Sequence, residues 1–390
     1  MDRTLRVERI EDPTVFEGLH DEWNNLLGVS RADCLFLTWE WIHTWWKHLA
    51  GTRSLSILAV RSGGELVAIA PLARKPSTLG GLLPFGSLEF MGSGSVGSDY
   101  LDVIVHRHRE QETLDALAKY LASSRMMLHL TQIRRSGTCA LELAGRLTQQ
   151  GWTTSEGRTG DCPFVDLASL SWEAYLASLR RSHRANLRRG LRKAEREHKL
   201  EFVQVQSEGE RRDVLAKLLV LHDRRWGDRG GSNAFHAPAL RAFHEDLSQQ
   251  ALRRGWLRLF LLSLDGAPAA SLYGFRYGAT FYYYQSGFDP AYASYGVGTL
   301  AVGLSIRSAM NEGIDEFDLL HGDEPYKRLW ARDTRELGRL ALYPPRARGF
   351  LYRRSWELSR ASRRIVRRVL PKQVADRLAA EISLDAWRTP

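Results

Sequence analysis

The sequence has 390 residues, 44% hydrophobic and 26% charged, with 55 basic and 45 acidic side chains and a formal net charge of +10. That length favours two domains over one core, and the balance is that of a soluble globular chain rather than a disordered one. No uninterrupted apolar run approaches the roughly 20 residues that cross a bilayer, and the N-terminal MDRTLRVERIEDP lacks the apolar stretch of a signal peptide.

Three scattered cysteines, Cys34, Cys139 and Cys162, form neither a CxxC pair nor a disulfide pattern. We read a reduced, cytoplasmic compartment and no metal. The positive charge is localised. Residues 346–390 hold twelve Lys/Arg and four Asp/Glu, net +8, which leaves 43 basic and 41 acidic groups in the first 345.

In chain order, FEGLHDEWNNLLG (16–28) predicts a helix from its apolar spacing. FLTWEWIHTWWKHLAG (36–51) predicts a second, with Thr38 as N-cap and Gly51 as stop. Residues 55–75 read as two strands about a Gly63-Gly64 turn. Strands follow over 88–92 and 98–105, then a helix over 109–123 and a strand over 126–133.

After Gly151 the order returns. Residues 171–197 read as one helix, 200–207 as a strand, and 211–230 and 237–255 as helices. A second hairpin over 256–278 turns at Asp265-Gly266, and the strand TFYYYQSGF (280–288) leads through a double-glycine loop into a helix. IDEFDLL (314–320) is a strand and GRLALYP (338–344) a candidate last one. The expected class is α+β: two similar mixed α/β units, 1–155 and 156–345, and a tail over 346–390.

A strand that ends in a glycine-rich loop and opens a helix aims several unpaired N–H groups at one spot, where the helix dipole adds positive potential. Ser286, Gly287, Tyr295, Gly296, Val297, Gly298 and Thr299 are the candidate phosphate-binding residues. Neither GxGxxG nor GxxxxGK[ST] is present, and a tight turn without a ligand is the competing reading.

The hairpin, the strand TFYYYQSGFDP and ASYGVG resemble the acyl-CoA-binding half of a GNAT acyltransferase. In that superfamily a (Q/R)xxGx(G/A) turn holds the CoA pyrophosphate; here Ala293 stands at the Gln/Arg position. LLHGDEPYKRLWARDTRELGRLALYP, FLTWEWIHTWW and GELVAIAPL together resemble the cellulose-biosynthesis-type (CelD-like) acetyltransferases, related in fold to the Fem aminoacyl-transferases. The resemblance spans about Phe36 to Pro344. It implies two tandem GNAT-like units, acyl-CoA as co-substrate, and a competent site in the second.

Acyl transfer from a thioester to an amine needs a neutral amine, a donor for the developing oxyanion and a path for protons. The loop after 314–320 supplies His321, Asp323, Glu324, Tyr326 and Lys327. Asp323 or Glu324 is the candidate base, with His321 as rival. Tyr326 is the donor to the leaving thiolate, and Lys327 an orienting charge. GDEP is also ordinary turn chemistry. Tyr283 faces away from Tyr282 and Tyr284 on their strand, and one face lines an acceptor pocket or the core.

LRRSHRANLRRGLRKAEREHK holds nine Lys/Arg and two Glu between Arg180 and Lys199. It reads as a solvated face or a phosphate contact. Arg184, Arg188, Trp226 and Tyr284 are the candidate acceptor-site residues, and no dedicated nucleic-acid motif is present. In the tail, Leu351, Leu358, Ile365 and Val369 form one stripe amid seven arginines. That is a basic amphipathic helix, which either meets an anionic membrane surface over 349–370 or packs on the body.

The sequence therefore predicts an N-acyltransferase acting on an amine, with a lipid or envelope-polysaccharide precursor as the attractive acceptor. The alternatives are Fem-like transfer from aminoacyl-tRNA and an inactive scaffold in envelope assembly.

Overall fold

The computed structural model describes residues 4–76, 86–124, 126–226, 235, 237–322, 324–345 and 349–350, excluding the Trp226 side chain. Asp323 and the tail stripe lie outside the described residues. The chain divides into two compact units: Gly160–Glu336, and Met1–Thr159 together with the chain from Leu337 onward.

In the first unit, β1 (Leu5–Ile10) precedes α1 (Pro13–Glu17) and α2 (His20–Gly28), which replace the single helix expected over 16–28. Asp12 caps α1 by accepting from the Thr14 N–H at 2.8 Å, so the helix starts before Phe16. Thr38 caps α3 (Trp39–Leu49) as its sequence position predicts, its hydroxyl accepting from the Trp41 N–H at 3.3 Å.

The chain continues through β2 (Ser54–Leu55), β3 (Ile57–Ser62), β4 (Glu65–Ala70), β5 (Leu72–Lys75), β6 (Ser87–Phe90), β7 (Ile104–Val105), α4 (Glu110–Ser124), β8 (Met127–Arg134), α5 (Cys139–Gln149) and β9 (Thr153–Asp166). The Gly63-Gly64 hairpin joins β3 to β4, within a four-stranded sheet of order β1-β3-β4-β7. The strand expected over 98–105 shrinks to β7. Asp102 turns inward instead, accepting from the N–H groups of Val103, Cys139 and Ala140 at 2.8, 3.0 and 2.7 Å, and so anchors the start of α5.

The second unit contains α6 (Trp172–Ser178), α7 (Arg181–Glu197), β10 (Leu200–Gln204), α8 (Glu208–Trp226), α9 (Pro238–Arg253), β11 (Leu257–Leu264), β12 (Ala267–Tyr277), β13 (Thr280–Phe288), α10 (Val297–Asn311), β14 (Glu316–Asp318) and α11 (Lys327–Trp330). The helix expected over 171–197 is broken at Leu179–Arg180, whose ψ angles of 155° and 136° lie outside the helical region. The break lets Tyr175 and Leu187 both reach one core.

Strands run β10-β11-β12-β13-β14-β9, and β11–β12 is the Asp265-Gly266 hairpin. All pairs are antiparallel except β13–β14. The core on one face gathers Leu187 and Ala194 of α7, Leu300 and Ile306 of α10, and Phe281, Tyr283 and Phe317 of the strands.

The last strand, β15 (Asp333–Tyr343), leaves the second unit after Glu336. From Leu337 to Leu342 it pairs antiparallel with β8 of the first unit's body. A sequence boundary at 345 thus becomes a structural boundary at Glu336. The boundary expected at 155–156 falls after Thr159, inside β9.

Candidate active site

The site grows from a pair of parallel strands that stop pairing. β13 and β14 are in register at Thr280–Glu316, Phe281–Phe317 and Tyr282–Asp318, and there the pairing ends. β14 ends there, whereas β13 continues for six more residues to Phe288, and we term the carboxyl ends of these two parallel strands the wedge. That is where open sheets place ligands. α10 begins on one side of the wedge and the loop from Leu319 to Tyr326 forms the other.

A β-bulge sets which side chains face the wedge. Tyr273 of β12 opposes Gln285 and Gly274 opposes Tyr283, so Tyr284 is the extra residue. The bulge shifts the alternation by one. Tyr283 belongs to the core beneath α10, and beyond the bulge Ser286 and Phe288 join that side: Ser286 Oγ is 2.5 Å from Tyr283 Oη. Tyr284 faces away, its Oη 3.4 Å from His244 Nε2 on α9. Gly287 also faces away, where a Cβ would run into the backbone of Leu221 and His222 on α8. It is needed for this close approach of helix and strand.

The α10 turn has the shape its sequence predicts. Gly296 is left-handed, φ 68° and ψ 36°, and serves as N-cap with no side-chain cap bond. A short 3₁₀ turn over Pro290–Tyr295 delivers it, with Asp289 accepting from the Ala291 N–H at 3.0 Å. The N–H groups of Val297, Gly298 and Thr299 lead α10 and have no intrahelical acceptor. No atom lies within 4 Å of a Cβ built at Gly296, so the approach is open; one at Gly298 would stand 3.0 Å from the Phe288 ring.

Val297 itself is buried and contributes only its backbone. Tyr295 is held beside the turn, its hydroxyl donating to Glu197 at 3.0 Å and lying 2.9 Å from His198 Nε2, with Lys193 Nζ 4.4 Å over its ring.

Across the wedge, Tyr326 Oη is 3.2 Å from Tyr283 Oη. Burial, and then the neighbouring Tyr283 phenol, push the Tyr326 pKa well above the ordinary phenol value, so it stays protonated. Arg225, at the end of α8, completes the network. It donates to Ser286 Oγ at 2.8 Å and to the Ser286 carbonyl at 3.3 Å, with its guanidinium 5.3 Å from the Phe288 ring and 5.5 Å from Tyr326. Ser286 is therefore a link between Arg225 and Tyr283. Sequence reasoning missed Arg225; nothing in an Arg-rich helix end marks which arginine turns toward a strand sixty residues on.

The loop after β14 is pinned from within. Asp318 accepts from the Leu320 N–H at 2.8 Å, and Leu320 adopts a left-handed φ of 57°, a strained conformation for a branched side chain. Lys327, only 5% exposed, donates to the carbonyls of Leu320 at 3.2 Å and His321 at 2.9 Å. Its Nζ is also 3.2 Å from Glu324 Oε2, an ion pair whose angle is not that of a hydrogen bond. Lys327 thus fixes the loop, and the Glu324 oxygen keeps its acceptor capacity. His321 lies against Gly160 of β9.

The candidate acceptor residues are dispersed. Arg184 donates to the Leu176 and Ala177 carbonyls at 3.3 and 2.9 Å, closing α6, whereas Arg188 is exposed on α7.

Residues 181–328 match the family described as acetyltransferase (GNAT) domain. The fold is like that of FemX, at 14% identity over 85% of this chain and 96% of that one, TM-score 0.60. The C-terminal domain of a putative lysylphosphatidylglycerol synthetase from Agrobacterium fabrum is similar at 12% identity over 84% and 92%, TM-score 0.50. L-PGS from Bacillus licheniformis is similar at 13% over 86% and 93%, TM-score 0.50. No curated protein matches the sequence.

The fold is α+β in two units, and the match to the GNAT acetyltransferase domain lies in the second of them. Among the described residues, no helix is long and apolar enough to cross a membrane.

Proposed function

We propose that the protein is an N-acyltransferase of the cellulose-biosynthesis-type branch that moves an acyl group from an acyl-CoA to an amine. The observation that carries this reading is the uncapped N-terminus of α10 at the mouth of the β13–β14 wedge. Its unpaired N–H groups and open approach suit a pyrophosphate, and the wedge between the strands suits the pantetheine and thioester beyond it.

In this reading the chain's residues act as follows. Glu324 accepts the proton that the amine nitrogen loses as it bonds to the acyl carbon. Tyr326 gives its proton to the sulfur as the carbon–sulfur bond breaks, and Arg225 polarises the Ser286–Tyr283–Tyr326 chain toward that donation. Lys327 and the strained Leu320 hold Glu324 and Tyr326 in place. The acceptor class is a lipid or envelope-polysaccharide amine, met at the cytoplasmic face of a membrane through residues 349–370.

A second reading, Fem-like transfer from aminoacyl-tRNA, draws on the likeness to FemX. The two separate on donor. Amine-dependent release of CoA thiol from acetyl-CoA or palmitoyl-CoA supports the first; transfer from charged tRNA with no thiol release from either thioester favours the second.

A further inference from the structure

A second concave site lies away from the wedge, between α8 and α9. It is a groove of about 360 Å³, within the range of small-molecule sites. Arg212, Leu215, Ala216 and Leu219 stand at helical spacing on one face of α8, opposite Arg241, Ala242, His244 and Glu245 of α9, with Phe235 between them. The space has a sequence cause: Ala216 and Ala242, both exposed, put methyl groups where packed helices carry larger side chains. The surface between the helices is predominantly apolar.

The charges around it do not cancel. Glu208 accepts from Arg211 at 2.7 and 2.8 Å and from Arg212 at 2.9 Å, and Glu245 accepts from Arg211 at 2.6 Å. Arg241 donates from Nε to the Phe235 carbonyl at 2.7 Å, which fixes its guanidinium at the groove, and no described carboxylate pairs with it. Among the described lining residues Arg212 is paired with Glu208 and Glu245 with Arg211, so the charge left over is that of Arg241.

From this geometry we infer that the α8–α9 groove binds the single alkyl chain of a monoanionic amphiphile, with the acid group on Arg241. A cationic amphiphile would meet like charge there. The inference stands apart from the acyl-CoA reading of the wedge.

The test is calorimetric titration of the full chain with sodium hexanoate, octanoate and dodecanoate, all below micellar concentrations, and with dodecylammonium. Affinity should rise about fourfold per added methylene, as burial of a growing chain requires. Ala242→Phe, which fills the groove from an exposed position, should weaken dodecanoate at least tenfold while acetyl-CoA binding is unchanged. Arg241→Gln should weaken dodecanoate several-fold and strengthen dodecylammonium, whose like charge it removes. If Ala242→Phe fails to fold by circular dichroism, Ala216→Leu on the opposite wall carries the same expectation.

Sedimentation with phosphatidylglycerol but not phosphatidylcholine vesicles, reduced in Ala242→Phe, makes a membrane lipid the source. Vesicle binding unchanged in that variant, with dodecanoate binding lost, makes it a free fatty acid. Wild-type dodecanoate affinity in the folded groove-filling variants, or dodecylammonium binding as tightly as dodecanoate, would overturn the inference. Loss of acetyl-CoA binding alone would count against the wedge reading and not against this one.

Discussion

The phenolic oxygens of Tyr283 and Tyr326 lie 3.2 Å apart, although one belongs to β13 and the other to the loop after β14. They meet just past the last β13–β14 pair, Tyr282–Asp318, where β14 ends and its loop begins. The bulge at Tyr284 then puts Ser286, rather than Gln285, on the same side of β13 as Tyr283. Ser286 and Arg225 extend the contact into a chain that begins on a donor-only cation and ends on a protonated phenol.

Removing the end of that chain should reveal its role. Tyr326→Phe should lower kcat about 10²- to 10⁴-fold with little change in KM, the range for loss of a positioned acid. Arg225→Gln should lower kcat less, and Arg225→Lys should recover part of it. Steady-state kinetics of thiol release read all three, and a Tyr326→Phe enzyme with wild-type kcat would remove Tyr326 from the proton path.

Lys327 is a different kind of residue. Its ammonium satisfies the carbonyls of a residue in a strained conformation and of its neighbour, so Lys327→Met leaves two acceptors without their donor. The cost should be about 1–3 kcal/mol. Urea unfolding measures it, and amide exchange should accelerate over 319–327 while β11 and β12 stay protected.

These relationships differ in how far the sequence announces them. The two hairpins were legible because Gly63-Gly64 and Asp265-Gly266 supply turn conformations locally, and Thr38 capped the helix it precedes. The α10 turn was legible for the same reason: Gly296 and the helix behind it are adjacent in the chain. β1, α5 and β9 were not. The first half of β9, Thr153–Gly160, has no run of buried side chains, so no alternation of apolar residues marks it as a strand. The break at Leu179–Arg180 was hidden because both flanks have helical spacing, and only burial of Tyr175 and Leu187 in a common core decides it. Arg225 depends on a strand end sixty residues away, and local pattern carries no such information.

His244 gives the fold a pH dependence. Complete burial lowers its pKa to about 3 from an ordinary 6.5. The folded state therefore binds fewer protons than the unfolded chain between these values. Its contribution is fully present above pH 6.5 and is lost as pH falls toward 3, by at most about 1.4 kcal/mol per pH unit. Urea denaturation at pH 7.5, 6 and 5 should show this slope, and His244→Phe should flatten it. An identical slope in the variant would place the dependence on other groups.

The most direct measurement is calorimetric titration of acetyl-CoA and palmitoyl-CoA into the wild-type chain and Gly298→Asp. A carboxylate in the first turn of α10 suits the helix dipole and needs only a small shift of the Phe288 ring, 3.0 Å from the new Cβ, but it opposes a phosphate at the same N–H groups. The account predicts micromolar-range binding to the wild type, as typical for enzyme substrates, weakened at least tenfold in a Gly298→Asp protein shown by circular dichroism to be folded. Binding of equal strength in both proteins, or binding of neither thioester to the wild type, would contradict it.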